Sequence, residues 1–195
     1  MSTTTRNHTT TSESHLVESD VVTSSATRKV LALLRIAFGL TFLWAFFDKL
    51  LALGFSTGVD SETGVVDRFS DAAWINGGSP TEGFLAFGAA GPFKDFYNGI
   101  AGAGWADAMF MIGLLGIGVA LTFGFGMRVA CASGALLYIM MWTVALPPEN
   151  NPVIDDHILG ALTLIVLGLV LAGDTWGVGR KWAKIPLVAK NGILR

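Results

Sequence analysis

NPVIDDHILGALTLIVLGLVLAG, residues 151–173, is the stretch on which the reading of the fold turns. Asn151 can cap a helix, and Pro152 suits the first helical position, where its missing N–H removes nothing. Asp155 and Asp156 then face the positive end of the helix dipole. His157 follows, and after it an almost unbroken apolar run from Ile158 to Ala172. The whole stretch is about 20 residues long, enough to cross a bilayer core. Helical spacing places His157, Ala161, Leu164 and Gly168 on one stripe, whose small residues let another helix come close. The sequence therefore points His157 into a helix bundle near a membrane surface.

Composition agrees with that reading. The chain has 195 residues, of which 52% are hydrophobic and only 14% charged, with a mean hydropathy of +0.57. These values depart from those of soluble domains and leave room for one compact membrane domain. A formal charge of −2 and no basic stripe along any helix argue against nucleic-acid binding. Cys131 is the only cysteine, so no internal disulfide, dithiol or cysteine metal cluster can form.

Three more apolar stretches precede the first. The spans are expected at about 29–53, 105–125, 128–146 and 152–173, with a long loop over 54–104. In the first span Arg35, Gly39, Phe42, Phe46 and Lys49 share a stripe. Arg35 and Lys49 lie roughly 21 Å apart along the axis, near opposite membrane faces. They either snorkel to headgroups or face the bundle and bind an anion. Gly113, Gly116 and Gly118 suggest a close-packed face on the second span. Gly124-Phe125-Gly126 makes the second and third spans antiparallel neighbours. Tyr138, Met140, Met141 and Trp142 line the upper third span as packing or interface anchors. Pro147-Pro148 stops that helix, and Glu149-Asn150-Asn151 completes an acidic turn.

The loop is too long for a mere connection. Ser79-Pro80-Thr81-Glu82 matches a capping box, and Phe93–Ile100 can form a second short helix. Neither piece can span, so an interfacial or re-entrant helical cap is expected. Residues 1–27 are rich in Ser and Thr and are expected to be disordered, with His8 and His15 solvated. The tail has neither the basic, apolar start nor the short apolar run of a signal peptide. The Asn7-His8-Thr9 sequon is discounted, because charge bias places it in the cytoplasm. Residues 186–195 form a basic tail.

Basic residues set the orientation. Arg28 and Lys29, Arg128, and Arg180, Lys181 and Lys184 flank one side. The long loop on the other side carries six carboxylates against Arg68 and Lys94. The expected fold is all-α: a four-helix transmembrane bundle with a long extracytoplasmic loop and both termini cytoplasmic. Asp48, Lys49, Asp107, Asp155, Asp156 and His157 then gather beneath the loop, while Arg35 lies at the inner side. Such a ring can bind an anion and pass protons. Trp44, Phe46, Met141 and Trp142 offer an apolar wall for a flat ring such as a quinone. One membrane histidine cannot make a bis-His haem, iron–sulfur ligands are absent, and no metal site is evident.

LLRIAFGLTFLWAFFDK (33–49), INGGSPTEGFLAFGAAGPF (75–93), GLLGIGVALTFGFGMRVA (113–130) and WTVALPPENNPVIDDHILGALTLIVLGLVLAGDTWGVGRKW (142–182) resemble the DoxX/DoxD family of four-helix bacterial membrane proteins. The resemblance covers residues 28–185, with the GGSPT loop and the PPENNP-to-His segment closest to the DoxD-like branch. It implies a plasma-membrane subunit of thiosulfate:quinone oxidoreductase, which oxidises thiosulfate to tetrathionate and reduces quinone, with a small partner subunit. Other DoxX-like proteins are implied to join membrane complexes that handle thiol and oxidative stress. The positions carried over are Arg35, Lys49, Asn151, Pro152 and His157.

Two functions stay open. In the first, a quinone-linked oxidoreductase subunit, Lys49 and Arg35 hold an anion or a quinone oxygen and His157 with Asp156 relays protons. Trp44, Trp142 and Asn151 complete the binding wall. In the second, a non-catalytic scaffold docks soluble redox enzymes or stabilises a respiratory complex. A small-solute carrier is disfavoured, because paired broken spans are missing.

Overall fold

The computed structural model describes residues 16–60, 62–148 and 151–195. His8, His15, the Asn7 sequon and the Glu149-Asn150 part of the acidic turn lie outside the described residues. Among the described residues there is no β-strand, only an isolated antiparallel bridge between Val59 and Val66.

The first long helix, α2 (Ser25–Leu51), follows a four-residue helix α1 (Glu18–Val21). Ser24 caps α2 by accepting a hydrogen bond from the Thr27 N–H at 3.3 Å. No proline interrupts the next 27 residues, and α2 stops where Ala52 turns left-handed at φ 49°. Two further long helices, α5 (Gly104–Phe123) and α6 (Met127–Val144), are joined through Gly124 (φ 74°), Phe125 and Gly126. A side chain at Gly124 would strike the Gly173 backbone and the Arg35 guanidinium, so the tight turn requires glycine there. α2, α5 and α6 are each long and apolar enough to cross a membrane.

The fourth apolar stretch forms a shorter helix than expected. α7 runs Asp156–Leu169, 14 residues or about 21 Å, against about 30 Å for a hydrocarbon core. Its start is displaced from Asn151 because Asp155 is the better-placed cap. The Asp155 carboxylate accepts the N–H groups of His157 (3.0 Å) and Ile158 (3.2 Å). Asn151 instead folds a local turn, its side chain accepting from Val153 N–H (2.9 Å) and Ile154 N–H (3.0 Å). At the other end Leu171 adopts φ 56°, so residues 170–173 turn away from the helix axis.

α2 packs along α5 and α6 along α7, and α5 against α6 joins the two pairs. One apolar core runs through all four, including Phe42, Phe46, Met111, Leu121, Cys131, Leu164 and Leu167. Small residues set the spacing. A methyl at Gly39 would meet Thr122, one at Gly118 would meet Leu43, and one at Gly134 would meet Leu164. Gly113 and Gly116 have open space where their side chains would stand, so the expected close-packed glycine face reduces to Gly118. Each residue turns a helix by about 100°, which puts Gly118 roughly 140° from Gly113.

The connection from α2 to α5 holds a 3₁₀ turn (Trp74–Asn76), α3 (Glu82–Phe87), a second 3₁₀ turn (Gly91–Phe93) and α4 (Lys94–Ile100). Half of the capping box is present: Ser79 Oγ accepts the Glu82 N–H at 3.1 Å. Leu85, Ala89 and Tyr97 bury themselves against Val144 at the end of α6. At the opposite end, residues 16–27 are not the loose tail expected from their composition. Glu18 is fully buried, and α2 begins at Ser25. Residues 186–195 are folded too, as α9 (Pro186–Lys190) and a 3₁₀ turn (Gly192–Leu194) after α8 (Gly179–Trp182). The helices thus have a loop end and a tail end.

Candidate functional site

The loop end contains the only described histidine, at the first turn of α7. Asp155 does two things there. One carboxylate oxygen caps the helix, and the other meets His157 Nδ1 at 2.7 Å. Because the Asp155 carboxylate is acceptor-only when ionised, Nδ1 carries the proton and Nε2 is left as the accepting nitrogen. The Tyr138 ring stands edge-on to the imidazole, with centroids 6.2 Å apart. Tyr138 in turn packs edge-on to Phe38 and Phe42 of α2, and Gly160 gives its ring room. The histidine is therefore tied through one tyrosine to α2, with an acidic partner on one side.

That partner differs from the expected one. Asp156, expected to relay protons with His157, is exposed and makes no ion pair among the described residues, whereas Asp155 holds the imidazole. The competing demand is capping: the residue before the helix reaches back over its first turn, and Asp155 occupies that position.

The remaining groups of the expected ring are held separately. Asp48 is buried and accepts from Phe55 N–H (3.1 Å), Ser56 N–H (2.9 Å), Ser56 Oγ (2.7 Å) and Thr57 N–H (3.0 Å). It fastens the start of the long connection to the end of α2. Lys49 donates from Nζ to Ser56 Oγ at 3.1 Å and makes no ion pair among the described residues. Asp107 is buried at the first turn of α5 and accepts from Ser79 Oγ (2.8 Å), Thr81 N–H (3.2 Å) and Thr81 Oγ1 (2.6 Å). It anchors the turn that leads into α3. Trp142 donates from Nε1 to the Val153 carbonyl at 2.8 Å, tying α6 to the approach to α7. Trp44 is about half exposed and stacks edge-on with Phe55. Asn151 holds its own turn.

Arg35 belongs to the tail end, where it is fully buried. Its guanidinium donates to the carbonyls of Leu121, Thr122 (3.0 Å), Thr175 (3.4 Å) and Trp176 (3.0 Å). Two of these acceptors lie in the last turn of α5, whose carbonyls have no partner within the helix. Arg35 thereby fastens α2, the end of α5 and the segment after α7 to one another. This position gives it no open face toward an anion.

Around Arg35 the structure assembles a cluster that sequence reasoning missed. Asp174 Oδ2 accepts from the Glu18 N–H (3.0 Å) and from Arg195 Nη2 (2.9 Å). Glu18 Oε2 accepts from Thr175 Oγ1 at 2.6 Å, while Glu18 Oε1, Arg35 Nε, Thr122 Oγ1 and Arg195 Nε have no partner among the described residues. Burial raises the Glu18 pKa, Asp174 adds to the rise, and the Thr175 hydrogen bond offsets part of it. A cavity of about 10 Å³ beside Asp174 and Arg195 is the size of one water. Glu18 and Asp174 are 156 residues apart, so no local pattern signals their meeting. Only the oddity of Arg35 within an apolar run pointed there.

No family model matches the chain, and no curated protein or solved structure matches it either.

Proposed function

We propose that the protein is a four-span bacterial plasma-membrane subunit of DoxX/DoxD type, with its loop end extracytoplasmic and both tails cytoplasmic. In this reading α7 is the fourth span, its short helix completed by the turns on either side. The basic residues at the tail end and the acidic connection at the loop end support the orientation. Cysteines introduced one at a time at Thr63 and Lys190, beside the buried native Cys131, test it. Thr63→Cys is labelled by an impermeant maleimide on intact spheroplasts and Lys190→Cys is not; the reverse pattern inverts the topology.

The chemistry proposed is oxidation of thiosulfate or a related sulfur anion, coupled to quinone reduction. Two thiosulfate ions joined through a new S–S bond release two electrons, and quinone takes up two electrons and two protons. The observation that carries this reading is the His157–Asp155 pair, whose Nε2 accepts no hydrogen bond from a described residue. Asp155 fixes the tautomer and stabilises the imidazolium, so His157 can pass a proton to a quinone oxygen. Lys49 supplies a cation at the same end that makes no ion pair among the described residues, and its hydroxyl partner Ser56 is readily exchanged for an anion. Trp44 and Trp142 supply the apolar wall. The test is thiosulfate-dependent quinone reduction by protein purified with lipid, with and without its native co-purifying partners. Loss of turnover in His157→Ala and Lys49→Ala supports the reading; full turnover in both refutes it.

A second reading, a non-catalytic scaffold for redox enzymes, draws support from Asp48 and Asp107. Both carboxylates accept hydrogen bonds from the chain itself, four at Asp48 and three at Asp107 Oδ1. It requires that His157→Ala leave complex assembly and its electron flow intact.

A further inference from the structure

The segment that follows α7 carries side-chain charge of one sign only after Asp174. From Thr175 to Arg195 it carries no Asp or Glu. Arg180, Lys181, Lys184 and Lys190 are all exposed on it. Beside them stand exposed apolar side chains: Trp176 at 59%, Leu187 at 68% and Ile193 at 69%, with Val178 and Ile185 less so. Unlike a loose basic tail, the segment is folded into a fixed shape. Trp182 Nε1 donates to the Leu194 carbonyl at 2.6 Å, and its ring packs on Phe125 of the α5–α6 turn. Arg128 donates from Nη1 to the Gly192 carbonyl at 2.8 Å, and its N–H to the Arg195 carbonyl at 2.7 Å. Arg195 is clamped to Asp174. Val188 and Ala183 are buried inward, so the outward face is the one left with cations and large apolar groups.

We infer that residues 176–193 form a preformed collar that binds the anionic phospholipid headgroups of the leaflet at the tail end. The inference rests on the membrane reading above and adds the lipid class and the residues that recognise it. Two features choose lipid over a soluble anion. Four exposed cations that make no ion pair among the described residues attract a negative surface. The interleaved Trp176, Leu187 and Ile193 would cost free energy in water but are favourable at the headgroup–acyl boundary, where an amphipathic segment seats its apolar side. Because the collar is already folded, binding requires no ordering of chain, which favours affinity.

The test uses the full chain purified in neutral detergent. Adding phosphatidylglycerol raises the apparent Tm by roughly 3 °C relative to phosphatidylcholine. The difference shrinks in high salt, as for exposed charges. In R180Q/K181Q/K184Q/K190Q it disappears, while the Tm in phosphatidylcholine stays that of wild type. In L187S/I193S the phosphatidylglycerol shift also falls. Equal shifts with both lipids, a shift retained by the quadruple variant, or an equal shift with inorganic phosphate each overturn the proposal. Resistance of the protein to carbonate extraction from membranes is measured separately. If the protein is extracted, the membrane reading has failed; if it resists and the lipid shift is absent, only the collar has failed.

Discussion

The two ends of the helices place their charged groups to different purposes. At the tail end Arg35, Asp174, Glu18 and Arg195 are buried together and bridge segments from the beginning, middle and end of the described chain. At the loop end the carboxylates act one by one: Asp48 on the turn after α2, Asp107 on the turn before α3, Asp155 on the first turn of α7. The tail end is therefore a structural knot, in which Asp174 pairs with Arg195 and Arg35 holds the backbone carbonyls of two separate segments. The loop end is a set of separate fastenings, and among them His157 keeps a nitrogen in reserve. A buried ion cluster is strongly destabilised by loss of one member. The His157–Asp155 pair is partly buried, but the imidazole holds no other element by a hydrogen bond among the described residues, so altering His157 leaves the fastenings of the loop end in place.

The largest effect is expected where the knot is cut. Arg35→Ala leaves carbonyls of α5 and the α7–α8 segment without their donor, and Glu18 without its nearby cation. A loss of about 3–5 kcal/mol is expected, measured as thermal unfolding in detergent; a change under 1 kcal/mol would break the contrast drawn here. The packing of the pairs comes next. Gly118→Val must displace Leu43, at a cost of about 1–3 kcal/mol. Gly113→Ala, facing open space on the same helix, is expected to be neutral or to stabilise by up to about 1 kcal/mol. At the loop end, Asp107→Ala frees Ser79 and Thr81 and costs about 1–3 kcal/mol. The exposure should appear as faster amide exchange over residues 79–87, with the tail end unchanged.

The smallest effect is that of pH at the tail end. The pKa of Glu18 is raised in the folded protein, so docking of α1 is favoured while the carboxyl is protonated and weakens as pH rises through the folded pKa. Protection of the amides of residues 18–21, taken relative to their intrinsic exchange rates at each pH, should therefore rise in acid, and Glu18→Gln should abolish that trend. Protection that falls in acid, or a trend unchanged in Glu18→Gln, would break the assignment of charge states.

How much of this could be read in the sequence differs by end as well. Hydropathy alone locates α2, α5 and α6, because an apolar run near 20 residues has few other solutions. Of the stripe Arg35, Gly39, Phe42, Phe46 and Lys49, the first four are buried as the spacing implies, and Lys49 is only half-buried. The start of α7 was ambiguous, because Asn151 and Asp155 are both competent caps and only tertiary placement decides between them. That one choice also moved the histidine's partner from Asp156 to Asp155. The tail-end knot was illegible: Glu18 sits in a stretch whose composition resembles a disordered tail, and its contacts are made across nearly the whole chain. Gly113, Gly116 and Gly118 misled because proximity in sequence does not put residues on one helical face.

One paired experiment bears on the division between a structural end and a chemical end. His157→Gln and Arg35→Gln are purified side by side, and each is measured for thermal stability and for thiosulfate-dependent quinone reduction. The account predicts that His157→Gln keeps the wild-type Tm within about 2 °C and loses turnover, while Arg35→Gln loses Tm. A His157→Gln protein that turns over normally, or an Arg35→Gln protein as stable as wild type, would contradict it.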